Sequence, residues 1–304
     1  MKPKNKRGYY RSGLEKALAE KLPKDFEYEP YAVPYVTHRK YTPDFVNGKF
    51  LRGDSMKIAV IPDCQIKEGV PTEHLTWAGQ YIAQKKPDVI VNIGDFWDMP
   101  SLSSYDRGRK DFEGRRYMKD VKAGNDAMDL LLAPIKKEIS RQKKNKKKCW
   151  KPRMVFTLGN HEYRIERAVE ADAILEDVIT YDHLNLDDWE VHGFLEPVII
   201  EGVAFAHYFT SGVMGRPVAS AKALLSKRMM SCVMGHVQDR DVAFQKRADG
   251  VNLTGLFAGI YYQHDEKYLG AQNNGSWSGI WMLNEVENGG LDVLPVSLSY
   301  LQGR

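Results

Sequence analysis

From residue 57 onward, apolar residues gather in short runs separated by longer stretches of helical period. The runs are Lys57–Pro62, Val89–Ile93, Met154–Leu158, Val203–Ala206 and Cys232–Met234. Short apolar runs bounded by turn residues read as buried strands. The stretches between them predict helices over His74–Lys85, Met118–Arg141 and Val218–Met230. Strand and helix alternating in this way predict a layered α/β fold, with helices covering the faces of a sheet. Beyond Asn252 the pattern changes to strands joined by Asn273-Asn-Gly275 and Glu287-Asn-Gly-Gly290. Turns of that composition predict antiparallel strands that complete a second sheet.

The polar residues that end the apolar runs carry the chemistry. The first run delivers Asp63-Cys-Gln65, the second Gly94-Asp-Phe-Trp-Asp98, the third Gly159-Asn-His-Glu162. The fourth ends on His207 and the fifth on Gly235-His-Val-Gln238. Sites in open α/β sheets form beyond the carboxyl ends of strands, so these groups are expected on one rim. A lone His or Asp is most often a packed or solvated side chain. Five strand ends carrying Asp, Asp, Asn-His, His and His in order argue for a metal site instead. Two cations about 3.5–4 Å apart neutralise a phosphate ester and acidify a water; carboxylates bridge them, while imidazole and amide oxygen fill the remaining positions.

This order of motifs resembles the calcineurin-like metallophosphoesterases over about residues 56–300. The resemblance implies a four-layer α/β/β/α sandwich, preceded here by a small N-terminal remnant. It also implies a dinuclear site between the sheets. Carried over by position, Asp95 bridges the metals, Asn160, His207 and His236 hold the second, and Asp63 the first. His161 protonates the departing oxygen, oriented by Asp98. The family commonly has His where this chain has Gln65 and Gln238, both at the first metal. Glutamine ligates only through a neutral, harder amide oxygen, which favours Mn²⁺, with Mg²⁺, Fe²⁺ and Zn²⁺ as alternatives. Because both changes fall on one site, they read as a coordinated retuning; the competing reading is a single tightly held metal. Arg164 reads either as a clamp on a phosphate oxygen or as a surface salt bridge. Cys64 is expected to pack away from its neighbours. Tyr261 and Tyr262, beside His264, line either the substrate groove or the core. His38, His74, His183 and His192 have no ligand-like context.

The N-terminal residues carry a second resemblance. Arg11-Ser-Gly-Leu-Glu15, Phe26-Glu-Tyr-Glu29, Val33-Pro-Tyr-Val36 and Tyr41-Thr-Pro-Asp-Phe45 are similar to the start of phage endonuclease I, a Holliday-junction resolvase. The resemblance implies that Glu15 and Asp44 correspond to metal ligands there. Arg52 and Asp54 stand where that family has a Glu-x-Lys pair, and this double charge reversal abolishes the site. Residues 1–55 therefore read as a truncated nuclease module, fused in a phage genome to a phosphoesterase domain at 56–304. Leu51-Arg-Gly-Asp-Ser55 is the join and Met56 an old start.

Charge and composition sharpen this picture without deciding it. Residues 1–55 hold twelve Lys/Arg against seven Asp/Glu, and Lys136–Arg153 carries ten Lys/Arg and one acid. Either stretch reads as a solvated basic segment or as a contact for a polyanion such as DNA or RNA. No apolar run approaches the ~20 residues needed to cross a bilayer, and no apolar stretch follows the basic N-terminus. Cys64, Cys149 and Cys232 are an odd number without zinc-finger spacing, as expected of reduced thiols in a cytoplasmic protein. The expectation is a metal-dependent phosphoesterase acting on nucleic-acid phosphodiesters. Its alternatives are a phosphomonoesterase acting on a nucleotide or phosphoprotein, and a nucleic-acid-binding protein with an inactive site.

Overall fold

A computed structural model of the chain describes residues 55–146, 148–266 and 275–303, with Gly270 and two short strands nearer the N-terminus. The chain forms two compact units, Met1–Arg52 and Gly53–Arg304. In the first, β1 (Phe45–Val46) and β2 (Lys49–Phe50) pair antiparallel, with Phe45 opposite Phe50. The endonuclease-like positions Glu15, Asp44, Arg52 and Asp54 lie outside the described residues.

The second unit is built on two sheets. In one, β3 (Met56–Ile61), β4 (Val89–Asn92), β5 (Arg153–Thr157) and β6 (Glu190–His192) run parallel in sequence order. The other contains β7 (Val198–Ile200), β8 (Val203–Ala206), β9 (Ser231–Met234), β10 (Arg240–Lys246) and β11 (Asn252–Ala258), in the order β10-β11-β9-β8-β7. Here β8, β9 and β11 are parallel, with β7 and β10 antiparallel at the edges. The chain then returns to the first sheet, where β12 (Gly279–Glu287) pairs antiparallel with β3 and β13 (Gly290–Ser297) closes that edge.

That return corrects one expectation. Of the described strands from Asn252 onward, β11 joins the second sheet, whereas β12 and β13 extend the first. A hairpin pattern says that two strands pair with each other, not which open edge receives them. The β12–β13 turn itself is as its composition demands, since Asn288 and Gly289 both have positive φ (50° and 86°). Of the other turn, Asn273 and Asn274 lie outside the described residues.

The helices of the unit include α1 (Glu73–Lys85), α2 (Tyr117–Lys144), α3 (Arg164–Ala171), α4 (Ala221–Arg228) and α5 (Leu298–Gln302). The period-two alternation of β3 sets the layers. Ile58 and Val60 face Val203, Phe205, Val233 and Leu256 of the other sheet, while Ala59 and Ile61 pack under α1 and α2. On the far side, α4 covers Ala204, Cys232 and Phe257. The result is a four-layer α/β/β/α sandwich. Helix α4 is shorter than its sequence pattern because Ser220 caps it, its Oγ accepting from Ala223 N, and Met229 ends it with φ 56°. Helix α2 runs past Arg141 to Lys144, so the start of the lysine run is helix rather than loop. Lys143 and Lys144 lie in its last turn, where positive charge opposes the helix dipole.

Candidate metal centre

The site is assembled by backbone hydrogen bonds between loops before any side chain is considered. Cys64 N and Gln65 N both donate to Asp95 O (3.0 and 2.8 Å), Ile66 N donates to Phe96 O (2.8 Å), and Asp98 N returns to Ile66 O (2.9 Å). The segments that follow β3 and β4 are thereby zipped together. The third loop is fastened by Glu162, which is wholly buried. Its carboxylate accepts from the backbone N–H groups of Asp95 (2.9 Å), Trp97 (2.9 Å) and Gly159 (2.8 Å). Gln65, Asp95 and His236 all have left-handed φ (45°, 50° and 64°), a conformation that costs about 1–3 kcal/mol at a non-glycine residue. Gly159 is required by proximity, since a Cβ there would lie 2.1 Å from Asp95 Oδ1. At Gly94, φ is +91° and a Cβ would lie 2.5 Å from Thr157 O.

On this frame one candidate ligand atom each from Asp95, His207 and His236 comes within 4.8 Å of the others. Asn160 Oδ1 sits between the two rings, 2.9 Å from His207 Nε2 and 2.7 Å from His236 Nδ1. Asp95 Oδ2 is 3.2 Å from His207 Nε2. His207 Nδ1 is 2.9 Å from the carbonyl of Ile93, which can only accept. A hydrogen therefore sits on Nδ1, and Nε2 is turned to the cluster. Asp63 is fully buried beside this group, its two carboxylate oxygens 3.2 and 3.1 Å from His236 N. Gln65 and Gln238 line one cavity of about 740 Å³ together with Asp95, Asn160, His161, Arg164 and His236. Gln238 Oε1 accepts from Tyr262 OH at 3.2 Å.

The electrostatics are those of an acidic and imidazole cluster out of water. Burial pushes the Asp63 carboxyl up to about 7. Burial also acts to raise Asp95, but the rings of His161 and His207 hold it well below the usual carboxylate range. For His207 burial opposes the charged ring, and the Asp95 carboxylate outweighs it, raising the ring to about 9. Burial and the charge of His207 push His236 down to about 4. Convergent carboxylate, imidazole and amide oxygens on glycine-tight loops fit a divalent cation.

His161 stands on the other side of Asp95. Its backbone N donates to Asp95 Oδ1 (2.9 Å), and its Nδ1 is 2.7 Å from Asp98 Oδ1. Arg164 Nη2 is 3.1 Å from His161 Nε2, and Arg164 Nη1 donates to the carbonyls of Asp98 (2.7 Å) and Met99 (3.3 Å). Arg164 Nη1 is also 3.6 Å from Asp98 Oδ1, so its ion pair lies at the cavity wall rather than on the open surface, with the guanidinium tethered to the loop backbone. The two tyrosines are supports. Tyr261 is wholly buried and donates to His74 O (2.6 Å), while Tyr262 stacks on His264 at 4.5 Å. Cys64 is buried and its thiol donates to Pro62 O (3.3 Å). His183 meets Tyr117 OH, and His192 meets Glu190.

A family model for calcineurin-like phosphoesterases matches residues 56–229. The chain belongs to the calcineurin-like phosphoesterases. No curated protein is similar enough to match it. Members of this family are metal-dependent hydrolases of phosphate esters and typically bind two divalent ions, a chemistry with which the clustered ligands agree. In this phosphoesterase His236 and Gln238 lie beyond the matched residues, and it is their geometry that joins them to the site. Among the described residues, no helix is long and apolar enough to cross a membrane.

Sequence reasoning gave no role to Glu162, Lys67 or Glu266. Glu162 belongs to a recognisable motif, and its signal is an acid within an otherwise buried stretch. Lys67 and Glu266 are 199 residues apart and carry no local signal of their contact.

Proposed function

We propose that this phosphoesterase hydrolyses phosphodiesters of nucleic acid, with Mn²⁺ as its preferred metal. The observation that carries the substrate class is the shape of the site. A second cavity of about 690 Å³ shares Asp106, Arg109, His161 and Arg164 with the first. The groove therefore continues past His161, on the side where a leaving group departs. A monoesterase needs room for a terminal phosphoryl group, whereas a chain cut internally needs room on both sides of the scissile bond. The basic stretches at 1–55 and 136–153 supply sequence-independent attraction for a polyanion. We assign residues 1–55 to a targeting module and 56–304 to catalysis.

In this reading Asp95 would be shared between two cations, Asn160, His207 and His236 would hold one of them, and Asp63, Gln65 and Gln238 would hold the other. The cations, when bound, neutralise the phosphoryl oxygens and acidify a water. Arg164 Nη2, which can only donate, lies 3.1 Å from His161 Nε2. Once that guanidinium turns to the substrate, His161 presents a proton at Nε2 to the departing oxygen, with Asp98 beside Nδ1 to orient the ring. Arg164, tethered by two carbonyls, offers its remaining N–H groups to a phosphoryl oxygen.

The test is hydrolysis of single- and double-stranded DNA, RNA and a phosphomonoester in Mn²⁺, Mg²⁺ or Zn²⁺. The full chain is compared with residues 53–304 alone and with Asn160→Ala and His161→Ala. We expect manganese-dependent cleavage of the polymer, retained at lower affinity by the fragment. Asn160→Ala and His161→Ala should each lose roughly 10²-fold or more in kcat. Activity on the monoester alone would discard the nucleic-acid assignment, and a fully active Asn160→Ala would overturn the ligand set. A chain that binds DNA and cleaves nothing would be a binding protein.

A further inference from the structure

Asp98 has two carboxylate oxygens, and only one of them serves His161. Oδ1 is 2.7 Å from His161 Nδ1, while Oδ2 is 2.9 Å from the ammonium of Lys67. Lys67 also contacts Glu266 Oε1, and that same oxygen is 2.7 Å from His264 Nε2. The Asp98 and Glu266 side chains are 9% and 6% exposed, and that of Lys67 is 23% exposed. An ammonium between two buried carboxylates is costly to desolvate, and apolar residues of similar volume commonly fill such a space at no loss of stability. Packing alone therefore does not account for the triad. Its members come from three separate segments, following β3, β4 and β11. The hydrogen bond from Asp98 N to Ile66 O (2.9 Å) sets the residue next to Lys67 against Asp98, so the lysine stem has a short, fixed reach.

We propose that Lys67, held in turn by Glu266, is a positioning residue for His161, and that its effect falls on esters whose leaving group needs a proton. The inference rests on the acid role of His161 proposed above. A carboxylate restrained at one oxygen turns freely about its broad χ2 minimum. Held at both oxygens, it fixes the imidazole plane and the direction of Nε2. As a water oxygen bonds to phosphorus and gives up a proton to solvent, the ester phosphorus–oxygen bond breaks; the leaving oxygen takes the bonding pair and the Nε2 proton, and solvent later reprotonates the ring. An alkoxide of a nucleotide sugar requires that proton, whereas p-nitrophenolate departs without it.

The experiment compares two diesters, dithymidine monophosphate and bis-p-nitrophenyl phosphate, on the full chain in Mn²⁺. Lys67→Met should lower kcat on the dinucleotide roughly 10- to 100-fold and on the aryl ester less than about 3-fold, with KM little changed. Glu266→Gln should show the same selectivity at smaller size, and Lys67→Arg should restore part of the loss. Equal losses on both esters, or none on either, would overturn the proposal. His161→Ala is run beside them. If it lacks the leaving-group selectivity, the acid role fails, a result separable from failure at Lys67. A readout independent of turnover is the buried Nδ1 proton of His161, assigned by proton NMR of the metal-free chain through its absence in His161→Ala. It should broaden or vanish in Lys67→Met; an unchanged resonance would refute the positioning role. Should Lys67→Met fail to fold, as judged by thermal unfolding, Glu266→Gln carries both measurements.

Discussion

Glu162 turns its carboxylate to three backbone N–H groups, those of Asp95, Trp97 and Gly159, and is wholly buried. Removing the acceptor strands three donors out of water, each at about 1–3 kcal/mol. Glu162→Ala should therefore cost roughly 3–5 kcal/mol and weaken metal binding, although the side chain touches no cation in the proposed site. Glu162→Gln keeps the volume and gives up one acceptor oxygen, so an intermediate loss, about 2 kcal/mol, is expected in urea unfolding. A wild-type midpoint for the alanine variant would show that the loops hold without it. At this scale the candidate ligands stand out in the sequence because each of Asp63, Asp95, Asn160, His207 and His236 closes or follows an apolar run. Glu162 was visible only as a letter in a motif. Lys67 and Glu266 were invisible, since a contact made by folding leaves no mark on either neighbourhood.

Among the elements, the parallel strands were the easiest to read, and β8 (Val203–Ala206) matches its apolar run residue for residue. Helix ends were harder, because Ser220 and the left-handed Met229 outrank the apolar periodicity that flanks them. The destination of β12 and β13 was not legible at all. It depends on β3 having an open edge, a property of the finished sheet. The segments after β3 and β9 bring Gln65 and Gln238 to one cavity, and Tyr262 OH already occupies one lone pair of Gln238 Oε1. An amide oxygen shared in this way is a weak donor to a second cation. Calorimetric titration with Mn²⁺ should resolve two binding steps, the weaker assigned to the glutamine side. Gln238→His should tighten that step for Zn²⁺ by roughly 10-fold or more, as imidazole replaces amide oxygen. A single step in the wild type would leave a one-metal centre and remove the bridging role of Asp95.

For the whole molecule, the sandwich places the candidate ligands on both sides of its seam. Asp63, Asp95 and Asn160 follow strands of the first sheet, and His207 and His236 follow strands of the second. Asp63 and His236, whose contact spans a sequence separation of 173 residues, come from near the two ends of this arrangement. A cation held by Asp95, His207 and His236 is in effect a reversible covalent staple, closing a loop from residue 95 to residue 236. Closing a loop of that order removes about 4–5 kcal/mol of entropy from the unfolded chain, by the same reckoning that applies to a disulfide. Scanning calorimetry in a chelator should then show unfolding about 10 °C lower than in saturating Mn²⁺, with full recovery on adding the metal back. Variants at His236 should behave as permanently unstapled, their melting temperature indifferent to chelator. The catalytic centre would thus double as the knot that ties the first third of the chain to the last.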